Sequence, residues 1–575
     1  MKNPLKRNLF GVTSLIAIRN ILPAAFVIIV TLSGCLDGSN SSGNSQKFSP
    51  LGIEVTLDSG VVLGREHPES DVWEWLGIPF AQPPVGDLRW RAPQPVAAWK
   101  GVREATEFGT PCLQPAGADS AASPDAVIGD EDCLYLNLWR PDSDERDLPV
   151  YVWLHFGGNK TSSNNLRLYQ GDRLAQQSNA VVVVPQFRLG PLGWLYFDPL
   201  HTGEPLDDSG NFGLLDIIRS LRWIQDNIGA FGGDPGNVII CGSSNGADNV
   251  ASLLLSEQAS GLFHKAIING AVPRSPSPEE GSRQARTVFD TLNESLGSPL
   301  ADPTDQEIAD FMRSRSGADL IKAAASIELV YAFADGVVVA SEGTALFAQG
   351  EQINKVPLVV GNDRDQYKYW TTILNAYPDV DAQVRAGIGR YVSDLWRVRA
   401  VDQFATYLTS AADQPDVYAY RFNWGSPDEA GNSPLAGNFG QTLGAHHTLE
   451  VPFMLGHWEN WIAESEALTN VFYTEESSPG RKNLSEVIIN YLAAFARTGN
   501  PNGGNLPTWE PFTTEGAFKA IELDVNFAEN SPRITVDEET YTVESVLADL
   551  EANLEEPTRS EVRDVLLSHI SESEY

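Results

Sequence analysis

VIICGSSNGADNVASLLL, residues 238–255, decides the reading of this chain. Residues 238–241 are apolar without alternation, as expected of a strand buried on both faces. From Ala247 the apolar positions take helical spacing. Between them stands Gly242-Ser243-Ser244-Asn245-Gly246, a G-x-S-x-G sequence at a strand-to-helix turn. That context suits a nucleophilic serine: a sharp turn exposes the hydroxyl, the glycines avoid collisions, and the helix N-terminus directs N–H groups at developing negative charge. Ser244 is the candidate nucleophile.

The same rhythm continues outward. Residues 150–154 and 181–184 are further β-branched, apolar runs, 212–228 has helical spacing, and 266–268, 357–360 and 417–422 are strand candidates. Short strands are expected at 52–57, 61–65 and 73–78, before the alternation begins. Strands alternating with helices predict an α/β fold, a mostly parallel sheet covered on both faces. Residues 271–329 suit an inserted helical cap, and residues 536–575 an acidic, helix-prone tail. The body is expected to be one domain over 48–535.

Composition excludes several functions. The 575 residues are 42% hydrophobic and carry a formal charge of −36, which opposes nucleic-acid binding. No His/Cys spacing suggests a metal and no glycine-rich loop suggests a nucleotide, so no cofactor is expected. Lys2, Lys6, Arg7 and Arg19 precede an apolar run that ends in Leu32-Ser33-Gly34-Cys35. This predicts an export signal over 1–35, similar to a bacterial lipobox with Cys35 as the lipidated residue; an ordinary signal peptide or a short anchor is the alternative. Residues 36–47 then form a flexible tether, and the expected location is the bacterial cell envelope.

Longer stretches resemble the type-B carboxylesterase and cholinesterase family. They include LGIPFAQPPVGDLRWRAP (76–93), EDCLYLNLWRP (131–141), NFGLLD (211–216), FGGDPGNV (231–238), GLFHKAI (261–267), GAHHTLEVPF (444–453) and FARTGNPN (495–502). The resemblance implies an α/β-hydrolase fold, cofactor-free hydrolysis of a small-molecule ester through an acyl-enzyme, and a disulfide between Cys112 and Cys133. Buried Cys241 reads as a small hydrophobe.

Family positions transfer one by one. The nucleophile of the family's G-E-S-A-G lands on Ser244, with Ser243 in place of glutamate and Asn245 in place of alanine. The family's H-G-G-G loop becomes His155-Phe156-Gly157-Gly158, so Gly157, Gly158 and Asn245 are the expected oxyanion donors. A histidine three positions before a glutamate selects His447 over His446 as the base, with Glu450 supporting its loop. The acid is ambiguous. Gapless alignment places Gln366 there and a one-residue deletion places Asp365; the distinction matters because an amide cannot stabilise an imidazolium, and Asp365 is preferred because the rest of the apparatus is intact. The resulting expectation is a serine esterase acting on an uncharged or cationic ester. The alternative is a catalytically impaired binding or adhesion protein on the same fold. The aromatic stretch 367–370 is expected to be packed core more than gorge lining.

Overall fold

The computed structural model describes residues 51–116, 126–296, 298–327, 330–459, 473–515 and 519–571. The expected signal, Cys35 and the tether all lie outside them.

One sheet of eleven strands organises the body. In chain order these are β1 (Arg65–Glu66), β2 (Val72–Pro79), β3 (Tyr135–Pro141), β4 (Leu148–Leu154), β5 (Val181–Pro185), β6 (Gly233–Ser243), β7 (Lys265–Asn269), β8 (Leu358–Asp363), β9 (Val417–Phe422), β10 (Ala520–Asn526) and β11 (Ser531–Asp537). Their spatial order is β11-β10-β9-β8-β7-β6-β4-β5-β3-β2-β1. The run from β5 to β10 is parallel, with antiparallel strands at both ends. Strand 60–63 instead pairs with 54–57 on one side and 102–104 on the other, in a separate small sheet.

The unbroken apolar runs have a direct cause. Val150, Val152, Val183 and Ile240 enter one core, under α1 (Phe212–Asn227) and α2 (Asn245–Leu254). Their neighbours Tyr151, Trp153, Val182 and Ile239 enter a second core on the opposite face, under α7 (Ser478–Thr498). Side chains alternate across a strand, so a strand covered twice must be apolar throughout.

The cap is helical as expected: α3 (Pro278–Glu294), α4 (Asp305–Ser314) and α5 (Gly317–Ala323) enclose their own apolar cluster with Trp90 and Phe197. The boundary expected at 535/536 falls inside β11. Beyond it, α8 (Val543–Asn553) and α9 (Thr558–Ser571) lay Val546, Leu550, Val562 and Leu566 against Ile388, Tyr391 and Leu395 of α6 (Ala382–Arg397). Through residue 571 the tail is therefore packed structure. Strands β3, β10 and β11 were not anticipated from the sequence.

Candidate active site

Ser244 stands where β6 meets α2, at φ 55° and ψ −133°. A left-handed φ on a non-glycine residue costs on the order of 1–3 kcal/mol, which the surrounding packing must hold in place. Here the constraint is visible. A Cβ on Gly242 would lie 2.3 Å from the Gly246 backbone, and one on Gly246 would lie 2.3 Å from the Leu154 carbonyl. Both elbow glycines are thus required by close approach. The Ser244 N–H donates to the Asn269 carbonyl at 3.0 Å, tying the turn to β7.

The loop after β4 supplies the expected oxyanion donors. Gly157 and Gly158 have φ values of 117° and 68°, and the Gly157 carbonyl accepts from the N–H groups of Lys160 and Thr161. Among the described residues neither glycine N–H has an acceptor, and the Asn245 N–H opens α2 ahead of any intrahelical partner. Phe156, where the family has glycine, donates its N–H to the Tyr169 hydroxyl at 3.1 Å. His155 stacks on Phe187 with centroids 4.2 Å apart, and burial pushes its imidazole down to about 4, so it is neutral.

A polar clamp that no sequence motif announces fixes this loop. The side-chain amides of Asn159 and Asn249 bond each other at 3.2 and 2.9 Å. The Asn159 and Asn245 amides both donate to the Val330 carbonyl, at 2.9 and 3.2 Å. Oxyanion loop, nucleophile helix and cap are thereby joined. The one sequence signal was asparagine in otherwise apolar or glycine-rich surroundings.

The acid loop corrects an expectation. Asp365 does not stand behind His447. Its carboxylate accepts from the Ser426 hydroxyl and the Ala445 N–H (3.2 Å) and pairs with Lys368 at 2.8 Å. Burial raises its pKa, but Lys368 and Ser426 outweigh that and hold it below the usual carboxylate value. Asp365 anchors residues 444–445, where a Cβ on Gly444 would fall 2.0 Å from its Oδ2. The gapless register is the one that folds, because Gln366 Nε2 is the atom against His447 Nδ1.

The amide orientation is set by its other contacts. Gln366 Oε1 accepts from the Asp363 N–H at 3.1 Å, and Nε2 faces the Gly270 carbonyl at 3.3 Å. Exchanging the two ends would oppose like groups at both contacts. A Cβ on Gly270 would lie 2.8 Å from that Nε2, so this glycine also admits the contact.

His447 is packed by Trp370 and Trp396, with centroids at 4.8 and 5.9 Å; in the 367–370 stretch Tyr367 joins the core cluster of Ile388 and Tyr391 as expected, and Trp370 packs against that cluster while also reaching the site. Burial, then the neighbouring His446, pushes the His447 imidazole down to about 3. His446 is buried too, its Nδ1 against the His447 carbonyl at 3.0 Å. Glu450 does support this region. It accepts from the Ser243 hydroxyl at 2.7 Å, while Asp363 accepts from the Thr448 N–H at 3.0 Å. Burial first, then the Glu450 charge, pushes Asp363 well up, and burial raises Glu450 as well.

A family model described as "Carboxylesterase family" matches residues 52–383 and 368–537. The chain belongs to the carboxylesterase family. The esterase is 30% identical over 509 residues to the para-nitrobenzyl esterase of Bacillus subtilis (strain 168), covering 83% of this chain and 96% of the relative. It is 29% identical over 479 residues to the phenmedipham hydrolase of Pseudarthrobacter oxydans, covering 78% and 90%. A solved thermophilic PNB esterase superposes with a TM-score of 0.68 at 29% identity, over 86% of this chain and 99% of that one. The fold is the α/β-hydrolase fold and the protein is a carboxylic ester hydrolase. Cys112 and Cys133 are disulfide-bonded, and Cys241 is buried and free. The family match ends at residue 537, so α8 and α9 lie beyond it.

Proposed function

We propose that the esterase works through Ser244 as nucleophile and His447 as base, with the Gln366 amide in place of the acid. Gly157, Gly158 and Asn245 N–H groups would receive the oxyanion, and water would release the acyl group. One observation carries this reading: the strained Ser244 elbow together with glycine N–H groups that have no acceptor. Losing one such donor typically costs about 10²–10³ in rate.

The amide sets the pace. By donating to Nδ1, Gln366 selects the tautomer with its proton on Nε2, the nitrogen that should accept the serine proton. Replacing the acid by an amide can cost about 10⁴ in turnover, and what remains comes from the oxyanion donors and binding. We therefore infer a slow enzyme on small carboxylic esters. The cationic ester expected from the acidic composition gains no support locally, since the charged side chain of the 271–276 loop is Arg274. Labelling by a fluorophosphonate, lost in Ser244→Ala, tests the nucleophile; a folded wild-type protein that never labels would overturn it.

We also propose export and lipidation at Cys35, on the sequence pattern alone; radiolabelled palmitate incorporation that survives Cys35→Ala would refute it. Among the described residues no helix is long and apolar enough to cross a membrane.

A further inference from the structure

Asp248 lies one turn beyond Ser244 in α2, its N–H donating to the Ser244 carbonyl at 3.0 Å. Side chains on a helix lean towards its N-terminus, so this carboxyl leans towards the nucleophile. It is 7% exposed, and its Oδ1 is buried with no hydrogen-bond partner. Among the described residues no group donates to Oδ2 either. Tyr331 follows Val330, whose carbonyl is held by Asn245 next to the nucleophile. The Arg274 guanidinium sits 5.8 Å from the Tyr331 ring and attracts Asp248 without forming an ion pair.

The three groups share one chemical sense. A carboxyl buried with neither a hydrogen bond nor a paired charge keeps its proton, because the ionised form is uncompensated. Asp248 is then an O–H donor, as is the Tyr331 phenol, whose pKa burial also raises. Arg274 is a permanent cation with donors only. The natural acceptor in this wall, the Val330 carbonyl, is already occupied by two amides. A wall of donors with one positive charge is complementary to an anion with several lone pairs.

We propose that Asp248, Arg274 and Tyr331 form a carboxylate-binding subsite beside Ser244, so that the esterase prefers esters whose acid or alcohol part carries a second, free carboxylate. The proposal rests on Ser244 as the nucleophile. Burial pushes Asp248 up to about 8, with Arg274 drawing it back, and Arg274 and Tyr331 are the titratable groups facing it. The preference should therefore weaken above about pH 8, where an ionised Asp248 would repel the substrate.

Two matched pairs of esters test this on the full-length enzyme. Mono-4-nitrophenyl adipate against 4-nitrophenyl hexanoate probes the acid side. 4-Carboxyphenyl acetate against its methyl ester probes the alcohol side. At pH 7 the expected kcat/KM ratio favours the charged member at least tenfold in one pair. Arg274→Gln should lower that ratio at least tenfold and Arg274→Lys should lower it less. Asp248→Asn, which keeps an N–H donor and cannot ionise, should hold the ratio above pH 8. The ratio is internal to each protein, so partial loss of folded enzyme does not alter it. A ratio near one in both pairs, or one unchanged in Arg274→Gln, overturns the subsite. Turnover of none of the four esters would instead overturn the assignment of Ser244.

Discussion

Two loops of this site, at the carboxyl ends of β6 and β8 with β7 between those strands, differ in how they are held. The elbow after β6 is fixed by backbone: a left-handed serine and two glycines whose Cβ atoms would strike the chain at 2.3 Å. Side chains there can vary, and Ser243 and Asn245 both depart from the family pattern while the turn survives. The acid loop after β8 is fixed by side chains. Asp365 holds the histidine loop, and Gln366 holds the ring. In such a loop one atom of difference between a carboxylate and an amide changes the chemistry without moving the chain. Backbone-built catalytic parts tolerate substitution; side-chain-built parts transmit it.

That contrast can be broken experimentally. Ser244→Ala should lower kcat for 4-nitrophenyl esters by at least about 10³ with little loss of fold, since the elbow does not depend on the hydroxyl. Unfolding of this variant would show that the backbone is not self-sufficient.

Gln366→Glu should raise kcat by about 10²–10⁴, because a carboxylate accepts from Nδ1–H and restores a free Nε2 lone pair. An unchanged or lower kcat would mean that His447 already carries the productive tautomer.

The same variant should move the acid limb of kcat/KM. In the wild-type enzyme burial holds His447 neutral down to about pH 3, so activity should persist as pH falls from 7 towards 4. A carboxylate at 366 favours the imidazolium and shifts the limb upward by about 1–3 units. Brief assays in buffers of constant ionic strength across pH 4–8 would show the displacement or its absence.

The smallest effect separates Asp365 from the chemistry. Asp365→Asn should cost about 1–3 kcal/mol of stability by stranding Lys368 and weakening the Ser426 and Ala445 contacts. Turnover should change only a few-fold. The folded carboxyl lies below its unfolded value, so its contribution is present above about pH 4 and lost as pH falls through the folded pKa. A loss of turnover near that of Ser244→Ala, at unchanged stability, would return Asp365 to the triad.

The sequence by itself determined the sheet and the elbow. Runs such as 150–154 and 238–241 are apolar on both faces, which only a doubly covered strand requires, and the glycines of the elbow mark close backbone approach. The elements missed were β11, a largely solvated edge strand, β10, whose apolar positions alternate with Glu522 and Asp524, and β3, read as a family motif and not as a strand. Gly157, Gly158 and His447 were legible because their neighbours keep the family spacing.

Only the tertiary structure decided between Asp365 and Gln366, adjacent residues that a one-residue slip interchanges. The strand register of β8 against β9 fixes where the loop begins. The buried contacts of each side chain then fix which one reaches the ring, and those partners come from Gly270, Ser426 and Ala445, segments far from the loop in the chain. The same holds for Asp248, whose lack of a partner is a property of its surroundings and cannot be read along the chain.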